Sequence, residues 1–150
     1  MDELQAALTL ALANTYVMAF KAQSYHWNVE GMFFPMFHDL FGDIYNDLAT
    51  SIDDLAERIR TIDGYAPISI ASLLRSATVR EDDVRPGNAA AMVSNLLDAC
   101  AETSASLNKA FALAEAQNNQ GLMDLLAGQL DAHAKLHWML KSTLKNTGAQ

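Results

Sequence analysis

Between Phe33 and Ile62 apolar residues recur every three or four positions without a break: Phe37, Leu40, Phe41, Ile44, Leu48, Ile52, Leu55, Ile59 and Ile62. That period belongs to one long amphipathic helix with a continuous apolar stripe, and such a stripe has to be buried against other long helices. The chain supplies them. A first helix is expected from Asp2 or Glu3 to Trp27, with Leu4, Leu8, Ala11, Leu12, Thr15, Met18 and Ala22 on its inner face and acidic residues complementing its N-terminal dipole. The Phe33 helix should end near Asp63-Gly64, with Gly64 as the C′ residue. A third runs from Pro86-Gly87 to about Gln117, with Met92, Val93, Leu96, Leu97, Cys100, Leu107, Phe111 and Ala114 as its stripe. After the break at Gln117–Gly121, a fourth runs from about Gln120 to Lys145 and turns Leu122, Leu125, Leu126, Leu130, His133, Leu136, Met139 and Leu140 largely inward. The segment from Tyr65 to Arg85 is too long for a structureless loop, and Ser69–Arg75 is predicted as a short helix capped by Ser69. The reading is all-α: a single domain over 1–150, built as a four-helix bundle with a short extra helix in the crossover between helices two and three.

Composition excludes several classes. A formal net charge of −8 repels nucleic acid and attracts cations. The one cysteine, Cys100, leaves no intrachain disulfide, which fits a reducing, cytoplasmic setting. No basic, cleavable leader and no run of about 18 apolar residues is seen, so neither a signal peptide nor a membrane span is expected. There is no repeat, no Gly-rich phosphate loop and no nucleophile arrangement.

The chemistry-bearing residues sit on or beside the second helix. Asp53 and Glu57 are i and i+4, stacked on one face where both carboxylates can chelate one metal ion. His26 and His38, 12 positions apart, meet if the chain turns between them, and Asn28, Glu30, Gly31 and Pro35 signal that turn. On the wheel, with His38 at zero, the stripe centres near roughly −80° while Asp53 and Glu57 fall near about +60° and +100°. The carboxylates therefore point away from the subunit's own core, with the small residues Gly42, Ala49 and Ala56 between them leaving room for another helix. Along the helix His38 and Asp53 lie about 22 Å apart, whereas metal–ligand bonds are about 2 Å long. One chain cannot close the site. Two copies placed antiparallel across a two-fold axis can, giving two sites per pair.

The pattern H-W-N, a second His 12 later, Asp 15 beyond that and Glu four further, then ERI and GYAP, resembles the Dps proteins, the mini-ferritins of starved bacterial cells. The resemblance spans about Leu8 to Lys141 and includes Asp124-Leu-Leu and Trp138. It implies a ferritin-like bundle assembled into a hollow dodecamer. It also implies iron bound by His26 and His38 of one subunit with Asp53 and Glu57 of its neighbour, and ferroxidase activity with peroxide preferred over dioxygen. Zinc or manganese suits the same mixed nitrogen and oxygen ligands. Trp27 would serve as an electron donor beside the site. Many members carry an acidic residue four after the second histidine; here Gly42 stands there, with Asp39 and Asp43 as neighbouring substitutes for a weaker second iron position. Glu115 and Asp124 match positions lining ion pores, with Gln120 where an acidic residue is usual.

Other features are weighed more lightly. Larger ferritins place Glu-x-x-His on two helices for an intrasubunit di-iron site, and no Glu here has His three later. His133 and His137 are i and i+4, a zinc-compatible spacing, but without an evident third ligand they read as packing residues. Asp54 and Arg58 read as a solvated helix pair or an intersubunit bridge. The Dps lysine-rich N-terminal arm has no counterpart in MDEL, and the C-terminal KSTLKNTGAQ carries only Lys141 and Lys145, so DNA binding is expected to be weak or absent. The rival readings are a DNA-compacting protein and an iron-inactive helical assembly protein.

Overall fold

The computed structural model describes residues 1–145. They form five helices: α1 Glu3–Asn28, α2 Phe34–Thr61, α3 Ile70–Ser76, α4 Ala89–Ala116 and α5 Gln120–Leu144. Residues 146–150, the end of the segment read above as carrying only Lys141 and Lys145, lie outside the described residues.

Most of these helices are started by a side chain. Asp2 Oδ1 accepts from the Gln5 amide at 2.7 Å, Ser69 Oγ from Ser72 at 3.1 Å, Asn88 Oδ1 from Ala91 at 2.8 Å and Asn119 Oδ1 from Leu122 at 3.2 Å. Each satisfies an amide that the first turn leaves without a partner. Helix α4 therefore begins at the Asn88 cap rather than at Pro86-Gly87. The exception is α2, which starts at Phe33 without a side-chain cap and instead has Pro35, which has no N–H to satisfy, in its first turn. At its other end the residue in the left-handed region is Asp63, at φ 64°, not Gly64. The Asp63 amide donates to Arg60 O and the Gly64 amide to Ile59 O, a Schellman closure that needs a left-handed residue one position earlier than expected. Gly64 is required for a different reason: a Cβ there would lie 2.5 Å from the Gln5 side chain. Asn118, at φ 54°, closes α4 by the same pattern.

Helix α1 packs against α2, α4 and α3, and α4 packs against α5. The core divides into two apolar ends. One gathers Leu4, Leu8, Leu12, Leu55, Ile59, Leu107, Leu122 and Leu126; the other Met18, Tyr25, Phe41, Ile44, Met92, Leu96 and Leu140. Buried polar residues lie along the same helices, and their hydroxyls bond back to the preceding turn: Thr15 to Ala11 O, Thr103 to Ala99 O and Ser106 to Thr103 O. Between α2 and α5 a groove of about 410 Å³ is left open. Met139, expected to face inward, lies on this side and is 40% exposed.

The crossover is fastened to α1 by buried polar groups. Asn14 Oδ1 accepts from the amides of Thr78 and Val79 at 2.8 and 3.0 Å. Lys21 Nζ donates to Arg80 O at 2.7 Å and to Asp82 at 3.0 Å, and the Tyr25 hydroxyl donates to the same carboxylate. Burial, reinforced by that carboxylate, pushes the Tyr25 phenol well above its ordinary range.

Candidate metal half-site

His26 lies in the last turn of α1 and His38 in the first turns of α2. The turn that brings them together runs through Gly31, whose φ of 123° suits glycine, and closes with the Phe34 amide donating to Gly31 O. The two imidazoles stack, with ring centroids 3.7 Å apart and planes 15° from parallel. Each ring is fixed to the other residue's backbone: His26 Nδ1 lies 2.6 Å from His38 O, and His38 Nδ1 lies 2.6 Å from His26 O. A carbonyl oxygen only accepts, so both Nδ1 atoms carry a proton, and it is Nε2 that presents the lone pair in the neutral form of each ring. That is the arrangement in which a second hydrogen bond sets the tautomer of a metal-binding histidine.

Further rings hold the pair. Phe34 stacks on His38 with centroids 5.0 Å apart, and Tyr45 meets His26 edge-on at 5.5 Å. Phe34, His38, Gly42 and Tyr45 are spaced i, i+4, i+8 and i+11, one stripe of α2. Phe34 and Tyr45 carry no ligand chemistry, so the sequence does not mark them, although their helical spacing from His38 is legible there. Gly42 corrects an expectation: it is buried beneath His26 rather than open to another helix, and a Cβ there would lie 3.0 Å from His26 Nδ1 and 3.1 Å from Cε1.

Asp53 and Glu57 lie exposed on α2, away from the subunit's own core, as the wheel required. Among the described residues no group of three or more His, Cys, Asp or Glu in a single chain is placed to hold a metal ion. One subunit presents a nitrogen half-site at one end of α2 and a carboxylate pair farther along it. Exposed apolar side chains surround the nitrogen half-site: Trp27, which meets Phe20 edge-on at 6.2 Å, and Met32, Phe33, Phe34 and Met36. An apolar patch of this kind marks a contact surface.

The auxiliary candidates separate. Asp39 is exposed beside the histidine stripe, whereas Asp43 lines the α2–α5 groove. Glu115 and Asp124 are exposed on either side of the α4–α5 turn, as is Gln120. Asp54 and Arg58 form no ion pair; the described residues hold only Lys21–Asp82 and Arg85–Glu30. Arg60 instead donates to Gly64 O at 2.6 Å and covers the Tyr65 ring at 4.4 Å. His133 is buried, its Nδ1 2.9 Å from Gln129 O, and burial holds its pKa below the ordinary imidazole range. Cys100 Sγ donates to His133 O, and burial raises its thiol pKa to about 11.

Residues 5–149 match the ferritin-like domain family. General stress protein 20U of Bacillus subtilis is 33% identical over 145 residues, covering 95% of this chain and 98% of the relative. The DNA protection during starvation protein of Brevibacillus brevis is 30% identical, covering 92% of each. Among solved structures, Dps from Vibrio cholerae, described as one of the ferritin-like diiron-carboxylate proteins, superposes with a TM-score of 0.91 at 31% identity, covering 95% of this chain and 89% of that one. Dps from Staphylococcus aureus gives 0.90 at 28%, covering 96% of each. With the helix order, the crossover helix and the histidine pair already in place, these likenesses make the chain a member of the Dps family of ferritin-like proteins.

Proposed function

We propose that this protein oxidises Fe(II) at sites shared between two subunits and stores the ferric product inside a closed homo-oligomeric shell, a dodecamer by family analogy. The observation that carries the reading is the reciprocal lock on His26 and His38, which commits both Nδ1 atoms to backbone carbonyls and leaves both Nε2 atoms as the nitrogens free to bind a metal. Asp53 and Glu57 of the partner subunit would complete the site with oxygen, and carboxylates favour the ferric state over the ferrous. The descriptions of relatives as diiron-carboxylate and starvation-protection proteins support iron as the substrate.

In the reaction, hydrogen peroxide accepts two electrons, one from each of two Fe(II) ions, and its O–O bond breaks to give water. Hydrolysis of the ferric ions then releases protons. The chain's own part is to supply Nε2 of His26 and His38 as the nitrogen donors of the site and to keep both rings fixed through Nδ1. Its exposed carboxylates and net charge of −8 raise the local cation concentration. With Gly42 at the position of the additional carboxylate, one iron should bind tightly at each shared site, two sites per subunit pair, and a second weakly. The acidic surface also disfavours DNA as a partner.

The test uses two variants. Glu57→Ala and His26→Ala should each lose fast Fe(II) oxidation while keeping the assembly. Mixed shells made by dissociation and reassembly should regain part of it, because a hybrid pair carries one complete site. Full activity in both single variants overturns the site; dead hybrid shells overturn the sharing.

A further inference from the structure

The last turn of α1 carries His26 and ends at Asn28. A helix leaves its last four carbonyls without intrahelical donors, and its end frays unless outside groups hold it. Three of the four are held here. Tyr25 O accepts from the Val29 amide at 2.9 Å, His26 O from His38 Nδ1 at 2.6 Å, and Asn28 O from the Arg85 Nε–H at 2.9 Å. The last donor comes from the crossover, just ahead of α4. The same guanidinium donates to Pro86 O at 3.3 Å and pairs with Glu30, in the α1–α2 turn, at 3.3 Å.

Arg85 ends a row of such fastenings. Asn14, Lys21, Tyr25 and Asn28 are spaced i, i+7, i+11 and i+14, along one face of α1. The crossover meets them in its own chain order: Thr78 and Val79 at Asn14, Arg80 and Asp82 at Lys21, Asp82 at Tyr25, and Arg85 at Asn28. The first three fasten the crossover to the body of the helix. The fourth acts on the turn that bears a metal-binding nitrogen.

Fraying of that turn has a specific consequence. Releasing Asn28 O loosens the residues just before it, and His26 gives the half-site two things: its own ring and the carbonyl that fixes the His38 tautomer. The two bonds are reciprocal, so both rings lose their anchors together. As an ion pair Arg85–Glu30 adds little stability, because the two side chains are 40% and 81% exposed. Its use is geometric. The planar guanidinium ties crossover, helix end and turn at one point, and Glu30 offsets the positive charge beside a site for cations.

We propose that Arg85 is a positioning residue for the His26–His38 half-site, its guanidinium closing the last turn of α1 so that both imidazoles are set before a metal ion arrives. The inference rests on the reading of that pair as iron ligands.

The experiment compares wild type, Arg85→Ala, Arg85→Lys and Glu30→Ala as assembled apo proteins. Each is titrated with Co(II), read by visible absorption, and unfolded in urea; wild type and Arg85→Ala are also crystallised without metal. Arg85→Ala should bind Co(II) at least about tenfold more weakly with little change in urea midpoint, and its apo crystal should show the imidazole stack opened from 3.7 Å. Glu30→Ala keeps the bond to Asn28 O and should keep the affinity. Arg85→Lys, with one point charge in place of the fork, should fall between wild type and Arg85→Ala. An unchanged stack and unchanged affinity in Arg85→Ala overturn the proposal. So does an equal loss in Glu30→Ala, which would make the effect one of charge. A fall in urea midpoint with Co(II) affinity intact makes Arg85 a purely structural residue and overturns it as well. Should Arg85→Ala fail to assemble, wild-type affinity in Arg85→Lys overturns the role given to the guanidinium. Wild type that binds no Co(II) at the histidine pair refutes the metal site itself, and the two apo crystals then still decide whether Arg85 sets the rings.

Discussion

Gly42→Ala separates stability from metal affinity at one position. The added methyl has two opposite effects on folding. Replacing a helix-interior glycine by alanine gains about 1 kcal/mol. Against that, the new Cβ lies 3.0 Å from His26 Nδ1 and 3.1 Å from Cε1, where comfortable separations are about 3.5–4.0 Å. The ring must retreat by about half an ångström, and the 2.6 Å hydrogen bond from His26 Nδ1 to His38 O lengthens. Weakening one such bond costs roughly 1 kcal/mol. The two terms nearly cancel, so the midpoint of chemical denaturation should move by less than about 1 kcal/mol-equivalent. Metal affinity has no such compensation. Loss of a supporting interaction around a metal-binding histidine costs about 10–100-fold, and positional tolerance in a metal site is about 0.5 Å. The assay pairs urea denaturation of the apo protein with anaerobic Co(II) or Fe(II) titration of the assembled protein. The expected result is near-wild-type folding with at least tenfold weaker binding at the tight site. Unchanged affinity would refute the reasoning that Gly42 exists to seat His26. Gly42→Asp brings the same Cβ contact along with a new carboxylate, so it should strengthen the weak second iron while loosening the first.

Asp82→Ala leaves Lys21 Nζ and the Tyr25 hydroxyl without their carboxylate beneath the crossover; because Asp82 is partly solvated, the loss should be about 2–3 kcal/mol in urea denaturation, with Tyr25→Phe costing nearer 1 kcal/mol. His133 has a folded pKa below its unfolded value of about 6.5. The unfolded chain then binds the extra proton, so stability is complete above about pH 6.5 and falls below it, by at most about 1.4 kcal/mol per pH unit. His133→Gln should flatten that acid limb in denaturation measured from pH 7 to 5, and an unchanged slope would remove His133 as its source. Cys100, buried and with its thiol pKa raised to about 11, should resist a disulfide reagent at pH 8 until urea unfolds the chain; rapid labelling of the native protein would contradict its placement.

Periodicity was enough to read the four long helices, because a stripe such as Phe41, Ile44, Leu48, Leu55 and Ile59 has one burial solution; the crossover helix needed the loop length and the Ser69 cap as well. Helix ends were harder. The left-handed residues are Asp63 and Asn118, and a rule that waits for glycine passes over polar residues that tolerate the same conformation. The candidate ligands stood out in the sequence because His, Asp and Glu announce their chemistry. What holds the histidines did not: Phe34 and Tyr45 look like core residues, and the two carbonyls that fix the tautomers belong to the backbone, which sequence does not mark. Gly42 was legible as an absence, a missing carboxylate, but its close approach to His26 depends on how α1 leans over α2. Asp43 shows the same limit: its position in the chain suggested the iron site, while its angle on α2 delivers it to the groove.

Helix α1 is buried on nearly every side, with Leu4, Leu8, Ala11, Leu12, Ala13, Asn14, Val17, Met18, Lys21, Ala22 and Tyr25 all enclosed. It packs against α2, α3 and α4. Its amides can be reached by solvent only when the crossover lifts and both flanking helices separate, which is close to global unfolding. In hydrogen–deuterium exchange the centre of α1 should therefore report the full stability of the subunit, while α5, which packs mainly against α4, exchanges through a smaller opening. A ligand that tightens the α2–α5 groove would slow exchange in α5 first and leave α1 nearly unchanged.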